Sequence, residues 1–330
     1  MTKNDVIQQL LPKRRPRPQA VATVFAPANI ALCKYWGKRD AELNLPTASS
    51  LSISLSKLGS AVTLAPRAGH DRFTLNGQLI APESAFARRA AAFLNLFRPA
   101  ADFGFEVTAT NTIPTAAGLA SSASGFAALT LAVNELFRWK LDRRKLSILA
   151  RLGSGSACRS LYEGFVEWHA GQAADGMDSF AEPLATRWPD LRVGLVVLSD
   201  QEKPIGSRDA MAHTRDTSPL YAVWPDTVAR DLAALKDAIR RRDFTRLGEV
   251  AEGNALAMHA TMLAARPAIL YWLPETIDAI HTVHTLRADG CEVYFTMDAG
   301  PNLKLLFRRP DLRRVVESFP AVQVVTPFAA

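Results

Sequence analysis

The alternation of apolar and polar positions marks the strands first. Leu51-Ser52-Ile53-Ser54-Leu55 alternates strictly and predicts a half-buried strand, and residues 105–110 behave alike. Residues 61–66 and 72–79 predict further strands, the latter turning at Asn76-Gly77, a hairpin signal. A short strand is expected within 21–33. Residues 191–198 and 322–325 are β-rich, and 293–297 pairs naturally with 303–307 across Asp298-Ala299-Gly300-Pro301-Asn302. Helical patterns cover 83–97, 126–139, 142–152, most of 204–288, and 309–318. Strands and helices interleave without a regular βα unit or internal repeat. That predicts an α+β fold of two lobes, residues 20–190 and 191–330.

Around one stretch these elements are organised: residues 114–125, PTAAGLASSASG, between a strand and an apolar helix. Small side chains let an anion approach the backbone. The first N–H groups of the helix have no internal partner and attract negative charge. Ser121, Ser122 and Ser124 add hydroxyls, and Pro114, Ala117, Gly118 and Leu119 shape the loop. The spacing is not the GxxxxGK[ST] phosphate loop. Two readings stand, a phosphate loop and a plain N-capped core helix.

Composition narrows the class. The 330 residues are 48% hydrophobic, enough for a sizeable core. No apolar run nears the roughly 20 residues of a membrane span. Three dispersed cysteines suit a reducing cytoplasm better than a disulfide or zinc framework. The net charge is +7, but residues 1–19 carry five cations and one carboxylate, which leaves +3 on the rest. The leader with KRRPRP is therefore expected to be a flexible, solvated and dispensable segment. A nucleic-acid-binding protein would more often carry its excess on the folded body.

Four further pieces bear chemistry. Lys34, Tyr35 and Lys38 flank Gly37, two ammonium groups and a phenol able to clamp a phosphate; the plain alternative is a solvated turn. Ser154, Ser156 and Arg159 lie in a second small-residue loop. If a helix starts at Ser156, Arg159 lies one turn on over the same face, where a guanidinium fork suits a carboxylate. The alternative is an Arg in a structural ion pair. Asp298 ends a strand before a Gly-Pro turn, where a carboxylate faces a cleft or merely shapes the turn. Ser207 and Arg208 open a helix.

Together APANIALCKYWGKRD, PTAAGLASSASG, GSGSACRSLYEGFVEW and MDAGPN resemble the diphosphomevalonate decarboxylases, within the superfamily of galactokinase, homoserine kinase and mevalonate kinase. The likeness runs from about residue 24 to 307. It implies a ribosomal-protein-S5-like N-terminal lobe and a ferredoxin-like C-terminal lobe. It also implies ATP- and Mg²⁺-dependent conversion of mevalonate 5-diphosphate to isopentenyl diphosphate by a cytoplasmic homodimer, without nucleic acid or membrane.

On that resemblance Asp298 is the catalytic carboxylate, Arg159 holds the substrate carboxylate, and Lys34 sits near the reacting groups. Tyr35, Lys38, Ser154, Ser156, Ser207 and Arg208 hold the rest of the substrate. The 114–125 residues named above take the ATP phosphates, with Ser122 toward the metal. Ala48 and Glu163 depart from the family's usual Asn and Gly, which puts the substrate's phosphorylation state in question. The alternatives are a mevalonate 3-kinase or phosphomevalonate decarboxylase of the same fold, or a nucleic-acid binder using the leader.

Overall fold

The computed structural model describes residues 1–13, 16–113, 121–201 and 203–328. Residues 1–19 are not simply a solvated leader, because Lys3–Leu10 forms helix α1. Thr2 and Asp5 close a reciprocal capping box at its start. Val6, Ile7 and Leu11 are buried in the same apolar cluster as Leu43, Leu146 and Leu149. Further along, Gln19 donates through its backbone and side chain to the carbonyls of Leu136 and Glu135. The charge density of the stretch hides an amphipathic helix.

Strand β1 (Ala22–Cys33) leads to β2 (Lys38–Asp40), β3 (Leu45–Pro46) and the long β4 (Ser50–Ala68). Two of the expected strands, 51–55 and 61–66, are thus one. Ser56 with φ +51° breaks the alternation between them, and the pairing of β1 with β4 shifts register between Pro27 and Asn29. Next come the hairpin β5 (Arg72–Leu75) and β6 (Gln78–Ile80), helix α2 (Ala85–Leu94) and β7 (Phe103–Asn111). Asn76 and Gly77 both take positive φ at the hairpin turn, as the sequence predicts.

Helix α3 (Ser121–Leu136) crosses this sheet, and α4 (Arg143–Gly153) follows, capped by Asp142 onto the Lys145 N–H. A 3₁₀ turn, Gly155–Leu161, precedes β8 (Phe165–Trp168) and β9 (Ala181–Pro183). These strands form one sheet ordered β6-β5-β7-β4-β8-β9, with β1 also on β4.

The second lobe begins with β10 (Leu191–Val196). Helices α5 (Ser207–Thr217), α6 (Trp224–Arg241), α7 (Phe244–Leu263) and α8 (Pro274–Ala288) follow. Then come β11 (Val293–Met297), β12 (Leu303–Arg308), α9 (Leu312–Ser318) and β13 (Gln323–Val325). The sheet order is β11-β12-β10-β13, all antiparallel. One apolar cluster joins the lobes: Ile30, Leu51 and Ile53 pack with Trp224, Leu235, Leu247 and Leu306.

Candidate active site

Between the lobes lies a cleft of about 930 Å³. Its floor is set by the ends of β1 and β11. Lys34 follows β1, and its backbone N–H donates to Asn254 of α7 at 2.8 Å. Its buried ammonium donates to the Ala31 carbonyl at 2.8 Å and to Asp298 Oδ1 at 2.9 Å. Asp298 follows β11, and its other oxygen lies 3.6 Å from Lys304 Nζ on β12. The Asp298 carbonyl accepts from His259 Nε2 at 3.0 Å. Burial pushes His259 down to about 4, so it is a neutral hydrogen-bonding prop at pH 7. Burial opposes the charge on Asp298, but Lys34, Lys304 and Lys203 outweigh it and hold the carboxyl well below the usual carboxylate range.

Arg159 projects from the 3₁₀ turn into the same cleft. It is buried, and among the described residues no carboxylate pairs with it. Its Nε donates to Asn29 Oδ1 at 3.3 Å and its Nη1 to Ser50 Oγ at 2.5 Å. Asn29 is itself fixed by Ser160 Oγ at 2.7 Å. Among the described residues Arg159 is thus braced by neutral groups and not held in a structural ion pair. A buried cation without a counter-ion is costly, and what it lacks is an anion from outside.

The walls carry the remaining groups. The Tyr35 hydroxyl is buried and has no hydrogen-bond partner among the described residues, its ring edge-on to Trp168 at 4.7 Å. Gly155 makes room for both, since a Cβ there would stand 2.8 Å from Trp168 and 2.9 Å from Tyr35. Gly37, at φ +124°, lets Tyr221 of the second lobe close against the Lys34–Lys38 turn. Lys38 Nζ donates to Asn44 Oδ1 at 2.7 Å. Burial, then the charges of Arg208, Lys3 and Arg89, push Lys38 down to about 8. Ser154 and Ser156 have their hydroxyls 3.5 Å apart. Ser207 and Arg208 form the first turn of α5, which opens at the cleft.

Ser122, in the first turn of α3, lines the cleft and also a second, mostly apolar pocket of about 220 Å³. Arg89 of α2 borders both and lies over the Phe126 ring. The two cavities therefore adjoin at these two side chains, a polar chamber beside an apolar one.

The family model described as diphosphomevalonate decarboxylase-like N-terminal domain matches residues 26–181, and that described as mevalonate 5-diphosphate decarboxylase C-terminal domain matches 193–327. The chain belongs to the diphosphomevalonate decarboxylase family. The Homo sapiens diphosphomevalonate decarboxylase is 39% identical, covering 87% of this chain and 77% of its own. The crystal structure of mevalonate diphosphate decarboxylase from Staphylococcus aureus superposes with a TM-score of 0.88 at 38% identity, covering 94% and 96%. The structure of MDDEF in complex with MVAPP, AMPPCP and magnesium gives 0.86 at 40%, covering 93% and 96%. The α+β two-lobe expectation holds.

Of the residues that the family resemblance points to, Lys34, Tyr35, Lys38, Ser122, Ser154, Ser156, Arg159, Ser207, Arg208 and Asp298 all line one cleft. Ser124 is set apart: its hydroxyl is buried against Ser60 Oγ at 2.8 Å, inside the lobe. Pro114, Ala117, Gly118, Leu119 and the side chain of Ser121 lie outside what is described. Ala48 packs on the core shared by the lobes, and Glu163 is exposed; neither lines the cleft, so these family departures do not reach it. Sequence reasoning missed Asn29, Ser50, Lys203, His259 and Lys304. Asn29 stands inside the quoted family segment and was the one within reach.

Proposed function

We propose that this chain catalyses the ATP-dependent decarboxylation of mevalonate 5-diphosphate to isopentenyl diphosphate, with ADP, phosphate and CO2 as the other products. The observation that carries this reading is the pairing, in one cleft, of an ion-pair-free buried Arg159 with a carboxylate, Asp298, held ionised. Six cationic side chains line the cleft against three carboxylates, a balance suited to a polyanion.

The substrate carboxylate takes Arg159, beside the unpartnered Tyr35 hydroxyl. The diphosphate takes Lys38, Arg208 and Ser207 at the mouth, with the α5 N-terminus behind them. ATP lies with its phosphates along Ser122 and the 114–120 segment and its base in the apolar pocket, which Ser122 and Arg89 border from both sides. The Ser122 hydroxyl would help hold Mg²⁺, which would supply charge neutralisation for the phosphoryl transfer.

Asp298 accepts a hydrogen bond from the tertiary hydroxyl and aims its oxygen at the γ-phosphoryl. A carboxylate this acidic is a poor proton acceptor toward a free alcohol. Its first service is therefore orientation; the proton passes to it only as the new O–P bond makes the oxygen acidic. The phosphorylated oxygen then leaves with its electron pair. The electrons of the bond between the carboxylate carbon and its neighbour form the alkene as CO2 departs, and Arg159 holds that carboxylate in place until then.

The family match and the cleft favour this reading over a nucleic-acid role for the basic leader. The resemblance also carries a cytoplasmic homodimer; three buried free cysteines suit a reducing compartment, and sedimentation tests the dimer. Among the described residues no helix is long and apolar enough to cross a membrane. The deciding experiment incubates the protein with ATP, Mg²⁺ and, separately, mevalonate, its 5-phosphate and its 5-diphosphate, and measures CO2 and alkene. CO2 from the 5-diphosphate is expected. Phosphorylation of mevalonate without CO2 would favour the 3-kinase, and CO2 from the monophosphate alone the phosphomevalonate enzyme.

A further inference from the structure

Lys304 lies on β12, in a strand where alternation alone would place a lysine in solvent. It is instead 2% exposed, and among the described residues its ammonium contacts the Asn302 carbonyl at 3.3 Å and Asp298 Oδ2 at 3.6 Å. Lys34, also 2% exposed, holds Oδ1 at 2.9 Å from the opposite lobe. Asp298 is thus gripped at both oxygens by two buried ammonium groups on different elements. Neither lysine has another carboxylate among the described residues. Lys304 is not among the residues that line the cleft, so a ligand there meets it only through Asp298.

We propose that Lys304 is a positioning residue for the reaction: from behind the cleft floor it pins Oδ2 of Asp298, fixing the plane and the charge of the carboxylate presented to the substrate hydroxyl. With Lys34 alone, the carboxylate is free to turn about its Cβ–Cγ bond while keeping one contact. With both, the rotation costs an ion contact in a site of low dielectric. The same grip suits the chemistry, since an orienting carboxylate must remain ionised beside incoming phosphates, whose negative charge disfavours ionisation.

Every charged group facing Asp298 enters the test. Lys34 arrives from the end of β1, Lys304 from β12, Lys203 from the segment before α5 and Arg159 from the 3₁₀ turn, while His259 of α7 meets only its carbonyl. In Lys304→Met the chain length is kept and one of the two closest charges is removed. The expected result is a fall in kcat of about 10- to 100-fold, the scale of a mispositioned catalytic group. KM for ATP and for the diphosphate should stay within about threefold, as uniform binding is untouched. The acid limb of the kcat–pH profile should move up by about one unit, because an opposite charge within 4–6 Å is worth at least that.

A purely structural lysine would instead lower the melting temperature and leave the limb where it was; that result, or an unchanged kcat, overturns the proposal. If Lys304→Met does not fold, Lys304→Gln, which keeps a hydrogen-bond donor without the charge, decides by the same two readouts. The inference rests on the decarboxylase reading, and the two fail differently. No CO2 from the unaltered chain sinks the function. Normal turnover of the unaltered chain with an unmoved Lys304→Met profile sinks only the role of Lys304.

Discussion

Arg159→Met separates a functional arginine from a structural one. The guanidinium is buried and braced by Asn29 and Ser50; it faces Asp298 across the cleft, but among the described residues no carboxylate pairs with it. Desolvating such an ion costs several kcal/mol. Losing its two hydrogen bonds to neutral side chains costs about 1–3 kcal/mol each through the groups left unpaired. The two effects oppose each other, so the ligand-free variant should melt near the unaltered protein or above it.

Function should not survive so lightly. Removing one partner of a buried charge pair costs about 3–5 kcal/mol, or roughly 150- to 5,000-fold in kcat/KM. The assay is steady-state ADP and CO2 release, run beside thermal melting. Binding of a substrate analogue that lacks the carboxylate supplies the control, since it should bind both proteins alike. A variant that loses several kcal/mol of stability, or binds the carboxylate-free analogue as poorly as the substrate, would refute the assignment.

Three further outcomes are expected. Asp298→Asn keeps the shape of the turn and should lose about 10²–10⁴ in kcat with near-normal ligand binding, whereas a mere turn-shaping residue predicts lowered melting and intact turnover. Lys38, pushed down to about 8 from 10.5, should lose its proton in the free enzyme above pH 8, so KM for the diphosphate should climb there and Lys38→Arg should flatten the climb. The stability sign is opposite: the unfolded chain protonates Lys38 more readily, so its penalty on folding is full below pH 8 and fades between 8 and 10.5. Ile7→Ala should cost about 2–4 kcal/mol in urea unfolding, as for a buried side chain; no change would restore the dispensable leader that the sequence suggests.

How legible was all this in the sequence? Elements with a clear period and a local stop signal could be read, such as the Asn76-Gly77 hairpin and the helix capped by Asp142. Where two signals competed, the louder won. Thr2 and Asp5 spell a capping box before Val6, Ile7 and Leu11, yet the cations that follow suggested a solvated tail. The site divides along another line. Arg159 and Asp298 stand in motifs, whereas Ser50 braces Arg159 from 109 positions away and nothing near it in sequence says so. Lys304 reads as an ordinary strand lysine until β11 and β12 pair and turn it toward Asp298.

The core shared by the lobes has a mechanical consequence. Lys34 and Arg159 belong to one lobe and Asp298 and Lys304 to the other, yet Ile30, Leu51 and Ile53 are packed against Trp224, Leu235 and Leu306 in one buried cluster. Prising the lobes apart about a hinge would wet that core, at about 25 cal/mol for each Å² of apolar surface. The floor of the cleft is therefore built during folding and not assembled by ligand. Heated, such a molecule should come apart in one cooperative step, and neither lobe expressed alone should hold its half of the site in shape.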